Sequence, residues 1–245
     1  MQGLGNDFVV IAGPADPSPD EIAAWCDRRR GIGADGVLEV SPIDRGHVRM
    51  RYWNADGGLA EMCGNGLRCV ARFAADRGLV DGDTFVVETT VGPRPVHLKE
   101  DGLVRVLLGA PQTGENVHLD GVVLHTVDMG NPHAIQWVTA PADAAVESDG
   151  PRIETAPPFG EGTNAEFAAV VGDNEIELRV WERGVGETLA CGTGAAATAY
   201  MANQQGLVGD RVTMRLLGGT LLVTLEDDGA WIEGPAETVF SGSLY

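Results

Sequence analysis

Lysine is nearly absent from this chain: there is one, Lys99, in a run (96–100) that reads as a strand entering the turn Asp101-Gly102. Pyridoxal phosphate is held as a Schiff base by a lysine, and a lone lysine at an exposed strand end is a poor anchor for it. Amino-acid chemistry here is therefore expected to run without that cofactor. Basic charge is scarce altogether. Seventeen Lys and Arg against thirty-six Asp and Glu give a formal net charge of -19, which repels phosphate backbones and anionic lipid surfaces. No nucleic-acid partner is expected. With no block of about five like charges, the acidity reads as a solvated surface, and adaptation to high salt is one hypothesis it raises. No apolar run reaches the roughly 18 residues of a membrane span, and the opening Met1-Gln2-Gly3-Leu4-Gly5-Asn6-Asp7 lacks the basic stretch and apolar core of a signal peptide. The expected address is the cytoplasm, away from membranes.

Cysteine is sparse as well. Cys26, Cys63, Cys69 and Cys191 form no C-x-x-C pair and no dense secreted framework, so neither structural zinc nor any other metal site is expected. Cys26 and Cys69 fall in helix-like runs (21–30 and 67–77) and read as small buried apolar residues. The 245 residues, 44% hydrophobic, suffice for one large domain or two of about 100 to 150 residues.

What the chain does have is an internal repeat. Shifted by 128 residues, Arg51-Tyr52-Trp53-Asn54 falls on Arg179-Val180-Trp181-Glu182, and Met62-Cys63-Gly64-Asn65-Gly66 falls on Ala190-Cys191-Gly192-Thr193-Gly194. Fifteen residues after each cysteine comes Gly-Leu-Val, at Gly78-Leu79-Val80 and Gly206-Leu207-Val208, followed by strand-like runs at 84–88 and 211–217. Gly5-Asn6-Asp7-Phe8 resembles Gly130-Asn131-Pro132-His133 at a shift of 125, which implies a three-residue insertion between the landmarks. Each half reads as short alternating strands, a Gly-rich turn carrying the cysteine, a helix, then more strands. Helices are predicted over 66–76 and 194–205, each stopped by a glycine, Gly78 and Gly206. Being small or apolar all round, such helices are expected inside their own sheets. The predicted fold class is α+β: two pseudo-symmetric lobes from an internal duplication, each a mixed β-sheet wrapped around a central helix, with the active site in the cleft between them. The expected lobes are 1–114 and 115–235, crossing in the polar segment 112–121. Thr238 to Tyr245 have no counterpart in the first half, so 236–245 are expected to return and complete the first lobe.

The repeat singles out two of the four cysteines. Lobes related by a pseudo-twofold axis oppose equivalent loops across a cleft, which would set Cys63 against Cys191. Both precede a Gly-X-Gly turn opening a helix, where backbone amides and the positive dipole end favour a thiolate. The glycines let the amides of Gly64, Asn65, Gly192 and Thr193 approach an anionic group such as an α-carboxylate. One thiolate would take the α-proton from one face while the opposite thiol supplies a proton to the other, inverting configuration without a cofactor. A disulfide between the two is the competing structural reading. Asn54 and Glu182 each lie nine residues before a cysteine and are expected at strand ends facing the cleft. Glu182-Arg183 offers an acid beside a guanidinium for an ammonium and a carboxylate, and His133 is placed to assist thiol deprotonation.

Taken in order, Gly3-Leu4-Gly5-Asn6-Asp7-Phe8, Asn54-Ala55-Asp56-Gly57, Met62 to Arg68, Gly130-Asn131-Pro132-His133, Gly162-Thr163-Asn164 and Glu182 to Gly194 resemble the signature segments of the diaminopimelate epimerases, over essentially the full chain. The resemblance implies interconversion of LL- and meso-2,6-diaminopimelate, a step toward lysine and the peptidoglycan precursor. It implies Cys63 and Cys191 as the catalytic pair, assisted by His133 and Glu182. Asn6, Asn54, Asn131, Asn164, Glu182 and Arg183 match the residues that hold the substrate, the last several at its distal, non-reacting centre. Gly64, Asn65, Gly192 and Thr193 match the α-carboxylate cradle. A homodimer is implied as well. The chain departs from the pattern in trimmed connections around 41–47 and 112–121, and in Gly36, where some members carry a glutamine. The alternative with the same chemistry is a two-cysteine racemase for another amino acid. Alternatives from other classes are an inactive relative serving as a scaffold, against which both cysteines are present, and a cysteine hydrolase, which leaves the second cysteine unexplained.

Overall fold

A computed structural model of the chain describes residues 1–60 and 62–244. The chain divides into two compact units, one running from Met1 to Val106 and resumed from Gly234 onward, the other Leu107–Glu233. In the first unit the elements are β1 (Gln2–Gly3), β2 (Asn6–Ala12), α1 (Pro19–Cys26), β3 (Gly36–Asp44), β4 (His47–Asn54), β5 (Leu59–Ala60), α2 (Gly64–Asp76), β6 (Thr84–Thr89) and β7 (Gly92–Leu98). Strand β8 (Val104–Gly109) carries the chain out of it. The second unit holds β9 (Gln112–Thr113), β10 (Val117–Leu119), β11 (Val122–Asp128), β12 (Pro132–Trp137), α3 (Val146–Glu154), β13 (Asn164–Gly172), β14 (Glu175–Glu182), β15 (Gly186–Thr188), α4 (Gly192–Gln204), β16 (Arg211–Leu216), β17 (Gly219–Glu226) and β18 (Gly229–Gly234).

The duplication is visible at the level of strand register. β2 runs parallel to β3 with Phe8 opposite Gly36, and β12 runs parallel to β13 with His133 opposite Asn164. β4 returns antiparallel on β3, and β14 on β13, each ending in a short hairpin strand before the cysteine. β4 then pairs parallel with β6, and β14 with β16. The units are therefore two copies of one mixed sheet. Equivalent positions follow directly: Phe8 and His133, Gly36 and Asn164, Leu38 and Glu166, Asn54 and Glu182.

Each central helix is enclosed by its own strands. α2 packs on β1 to β4, β6 and β7, and α4 on β11 to β14, β16 and β17. Every residue from Gly64 to Ala71 and from Gly192 to Ala199 is buried, which is why the first eight residues of α4 are all Ala, Gly or Thr. A shorter helix covers the opposite face. In the first unit Ile22 and Cys26 of α1 pack with Ala34, Val37 and Trp53. In the second, Val146 and Ile153 of α3 pack with Leu124, Ala134, Ala165 and Phe167. With both faces covered, β13 reads as a continuous buried run from Asn164 to Ala169.

Three expectations need revision. α1 stops at Cys26 instead of reaching 30, because Asp27 turns back to accept the amides of Arg29 and Arg30 at 2.7 and 2.9 Å. α3 has no counterpart in the sequence reading: nine residues with Gly150 and Pro151 inside do not show a helical period. The expected lobe break at 114 also moves. The units divide at Val106–Leu107, within a regular strand, and at Glu233–Gly234, so compositional change in the 112–121 segment was a poor guide to where contacts change partner. The returning segment is fastened to the first unit by Pro235 and Glu237: the Gln2 and Glu237 amides and carbonyls exchange two hydrogen bonds of 2.9 Å, and the Arg68 guanidinium donates to the Pro235 carbonyl at 3.2 Å. Residues 238–244 carry no regular structure and are exposed. Tyr245 lies outside the described residues.

Candidate active site

Cys63 and Cys191 occupy the same place in the two units, as the residue that caps the N-terminus of α2 and of α4. Their backbones match, with φ, ψ of -134°, 124° and -123°, 116°. The first helical hydrogen bonds run from the Leu67 amide to the Cys63 carbonyl and from the Ala195 amide to the Cys191 carbonyl. The amides of Gly64, Gly192 and Thr193 stand ahead of those bonds at the helix ends, as an anion cradle requires. The asparagine that opens β2 and the one just before β12 also match in the repeat. Gly5 and Gly130 take φ of 84° and 92°, a left-handed turn after which Asn6 meets Cys63 and Asn131 meets Thr193, two residues after Cys191.

Around Cys191 the second unit gathers acid and base groups. Glu182, the last residue of β14, accepts the Thr188 hydroxyl at 2.6 Å and neighbours the Cys191 thiol. Burial raises the Glu182 carboxyl above the ordinary carboxylate value, opposed by Thr188, Cys191 and His133. The Cys191 sulfur accepts the Gly194 amide at 3.4 Å and lies 3.5 Å from the Thr193 hydroxyl. Burial, then the Glu182 and Glu166 carboxylates, push this thiol well up, against the opposing pull of Thr193 and Gly194. The helix start is thus outweighed in the resting protein: burial and the neighbouring carboxylates keep Cys191 a thiol. His133 is fully buried, with Nδ1 2.6 Å from Glu166 Oε1 and Nε2 3.1 Å from Asn131 Oδ1; Asn131 Nδ2 donates to Thr193 at 3.4 Å.

Around Cys63 the first unit places amides. The Cys63 thiol donates to Asn6 Oδ1 at 3.4 Å, and Asn65 Nδ2 reaches the same oxygen at 3.3 Å. Asn6 Nδ2 donates to Asp35 at 2.6 Å, which fixes the amide with its oxygen toward the sulfur. Asp35 is held in turn by Arg28, which also pairs with Asp7. Beneath the site lies Arg68, fully buried, donating to Asn65 Oδ1 and to the Gly64 carbonyl. Burial pulls its guanidinium down to about 10, opposed by Cys69 and Cys63. The positions that carry His133, Glu166 and Glu182 in the second unit carry Phe8, Leu38 and Asn54 in the first.

A family model described as diaminopimelate epimerase matches residues 1–114 and 125–239. The chain belongs to the diaminopimelate epimerase family. A protein named diaminopimelate epimerase from Alkalilimnicola ehrlichii is 43% identical over 100% of this chain and 96% of its own length. One of the same name from Nitrosomonas europaea is 42% identical, over 100% and 97%. Among solved structures, a hydroxyproline epimerase from Agrobacterium vitis superposes with a TM-score of 0.71 at 16% identity, covering 96% of this chain and 87% of its own. A PhzF-family phenazine biosynthesis protein from Bacillus anthracis gives 0.73 at 16%, covering 96% and 92%. These two share the fold of paired lobes.

Within that family pattern the remaining residues divide by what holds them. Asn164 is buried and spent on backbone: its amide donates to the Pro132 carbonyl at 2.9 Å and accepts the Arg183 amide at 2.9 Å. It thereby positions Arg183, whose own side chain is exposed and packs over Gly162. Asn54 is exposed at the end of β4, in the turn closed by its bonds to Gly57 and Gly58. Sequence reasoning passed over Glu166, Thr188, Asp35 and Arg68. Glu166 had one readable signal, since the repeat sets a carboxylate in the second half against Leu38 in the first.

Proposed function

We propose that this chain is a cofactor-independent isomerase that interconverts LL- and meso-2,6-diaminopimelate by proton exchange at one α-carbon. In one direction Cys191 gives its proton to Glu182 and, as thiolate, removes the α-proton, while the Cys63 thiol delivers a proton to the opposite face. The reverse reaction retraces these steps: Cys63, left as thiolate, removes the α-proton, the Cys191 thiol delivers one to the opposite face, and Glu182 returns its proton to Cys191. The helix-start amides of Gly64, Asn65, Gly192 and Thr193 hold the α-carboxylate and the charge that builds on it as the carbon loses its proton. Asn6 and Asn131 flank the reacting centre, and His133 assists proton transfer at Cys191. Asn54, Asn164 and Arg183 serve the distal amino-acid end, Asn164 by fixing the Arg183 backbone. The observation that carries the reading is the paired placement of Cys63 and Cys191 as matched N-caps in two copies of one unit. The chain works in lysine and peptidoglycan-precursor synthesis, in the cytoplasm, as a homodimer.

Cys63→Ser and Cys191→Ser, made separately, test the pair. Each is expected to abolish epimerisation of LL- and meso-diaminopimelate, followed by α-deuterium incorporation from deuterated water. Wild-type turnover in either variant defeats the two-base reading, and equal exchange with alanine or serine defeats the substrate.

A further inference from the structure

The first unit buries a cation where the second buries a methyl group. Arg68 of α2 is fully buried, and the residue at the same place in the repeat, also five positions after the cysteine, is the equally buried Ala196. The shared fold therefore does not need a guanidinium there. The first unit makes room for one, since a Cβ on Gly3 would lie 3.2 Å from Arg68 Nη2. A buried charge is costly unless an opposite charge meets it. No carboxylate pairs with Arg68 among the described residues. Its acceptors are three neutral oxygens, the Pro235 carbonyl at 3.2 Å, the Gly64 carbonyl at 3.4 Å and Asn65 Oδ1 at 3.0 Å. They solvate the charge without neutralising it.

The charge stands at the helix start. Arg68 lies in the second turn of α2, and its side chain reaches back to residues 64 and 65, the two that open the helix. A full positive charge is thereby added to the partial positive charge of the helix end. Arginine only donates, so Asn65 turns its oxygen to Arg68 and its nitrogen to Asn6 Oδ1, 3.3 Å away. The second unit has the opposite character. Beside its cysteine stand Glu182 and Glu166, which repel a carboxylate.

We infer that Arg68 is a positioning residue whose buried charge balances the α-carboxylate of the substrate, acting through Asn65 and the helix-start amides of α2 without touching the substrate itself. Resting on the functional reading above, this assigns the positive side of the carboxylate cradle to the first unit. It also accounts for a buried cation whose acceptors are all neutral: the opposite charge arrives with the substrate.

Iodoacetate and iodoacetamide alkylate the same thiolate, but only the first carries a carboxylate. The ratio of their rates at one cysteine therefore reads local charge, and that cysteine's accessibility and ionisation cancel. Rates are followed residue by residue, by peptide mass spectrometry of the intact protein labelled at neutral pH. In the wild type the iodoacetate-to-iodoacetamide ratio is expected to be about threefold or more higher at Cys63 than at Cys191, both under the same net charge of -19. Arg68→Met removes the charge, and Arg68→Gln removes it while keeping a donor for Asn65. Each is expected to lower the Cys63 ratio about threefold or more and kcat/KM for diaminopimelate about 10-fold. A role confined to packing slows both reagents alike, and one confined to orienting Asn65 is restored in Arg68→Gln; both leave the ratio of that variant at the wild-type value. Such an unchanged ratio overturns the inference, as does kcat/KM within about twofold of wild type in a variant whose ratio has fallen. If neither variant folds, the wild-type comparison decides, and a ratio no higher at Cys63 than at Cys191 overturns the inference. A wild type that does not epimerise diaminopimelate removes the functional reading instead, and the alkylation ratios still decide whether Arg68 makes this helix start a carboxylate site.

Discussion

Glu182 shows how one side chain changes the meaning of its neighbour. A thiol at a helix start is expected to ionise easily, yet Cys191 is buried among carboxylates that oppose ionisation. In the mechanism proposed above the proton needs a nearby acceptor of adequate basicity, and burial raises the Glu182 carboxyl in the direction that role requires. Glu182→Gln is expected to lower kcat/KM by about 100-fold, measured by α-deuterium exchange. Stability is expected to move the other way. A carboxyl whose folded value is raised contributes most when protonated, below its ordinary value of 4.5, and that contribution is lost as pH rises through the folded value. Glu182→Gln is therefore expected to melt no lower than the wild type at pH 7 to 8, with any gain over the wild type shrinking as pH falls toward 4.5. Melting curves across that range check the sign.

At the scale of elements, the repeat is held by turns as much as by strands. Gly130 and Gly5 occupy the same left-handed turn, and nothing lies within 4 Å of a Cβ placed on Gly130. The cost of Gly130→Ala is therefore purely conformational. We expect about 1 kcal/mol of lost stability by denaturant titration, together with weaker substrate binding as Asn131 shifts. The helices show what a sequence reveals of its elements. α2 and α4 were legible because a Gly-X-Gly start, an apolar run and a glycine stop all agree. α3 was not, because Gly150 and Pro151 break its pattern and packing against Trp181 and the β13 strand supplies what propensity lacks. The end of α1 was misplaced because a side-chain turn at Asp27 overrides the continuing polar run.

For the whole molecule, the net charge of -19 on 245 residues implies self-repulsion that salt screens. The melting temperature is expected to rise with KCl from low ionic strength upward, and a flat or falling curve removes the high-salt hypothesis. No helix among the described residues is long and apolar enough to cross a membrane. The sequence by itself determined the duplication, the two cysteines at equivalent helix starts and the family, because these are written in residue order and local spacing. Which polar groups meet each sulfur was decided by the tertiary structure. His133 and Glu166 are far in the chain from Glu182 and Cys191 and join them only through strand register and burial. The same packing places Phe8, Leu38 and Asn54 at the matching positions around Cys63. Two cysteines alike in sequence thus differ in environment, because burial and strand register are non-local.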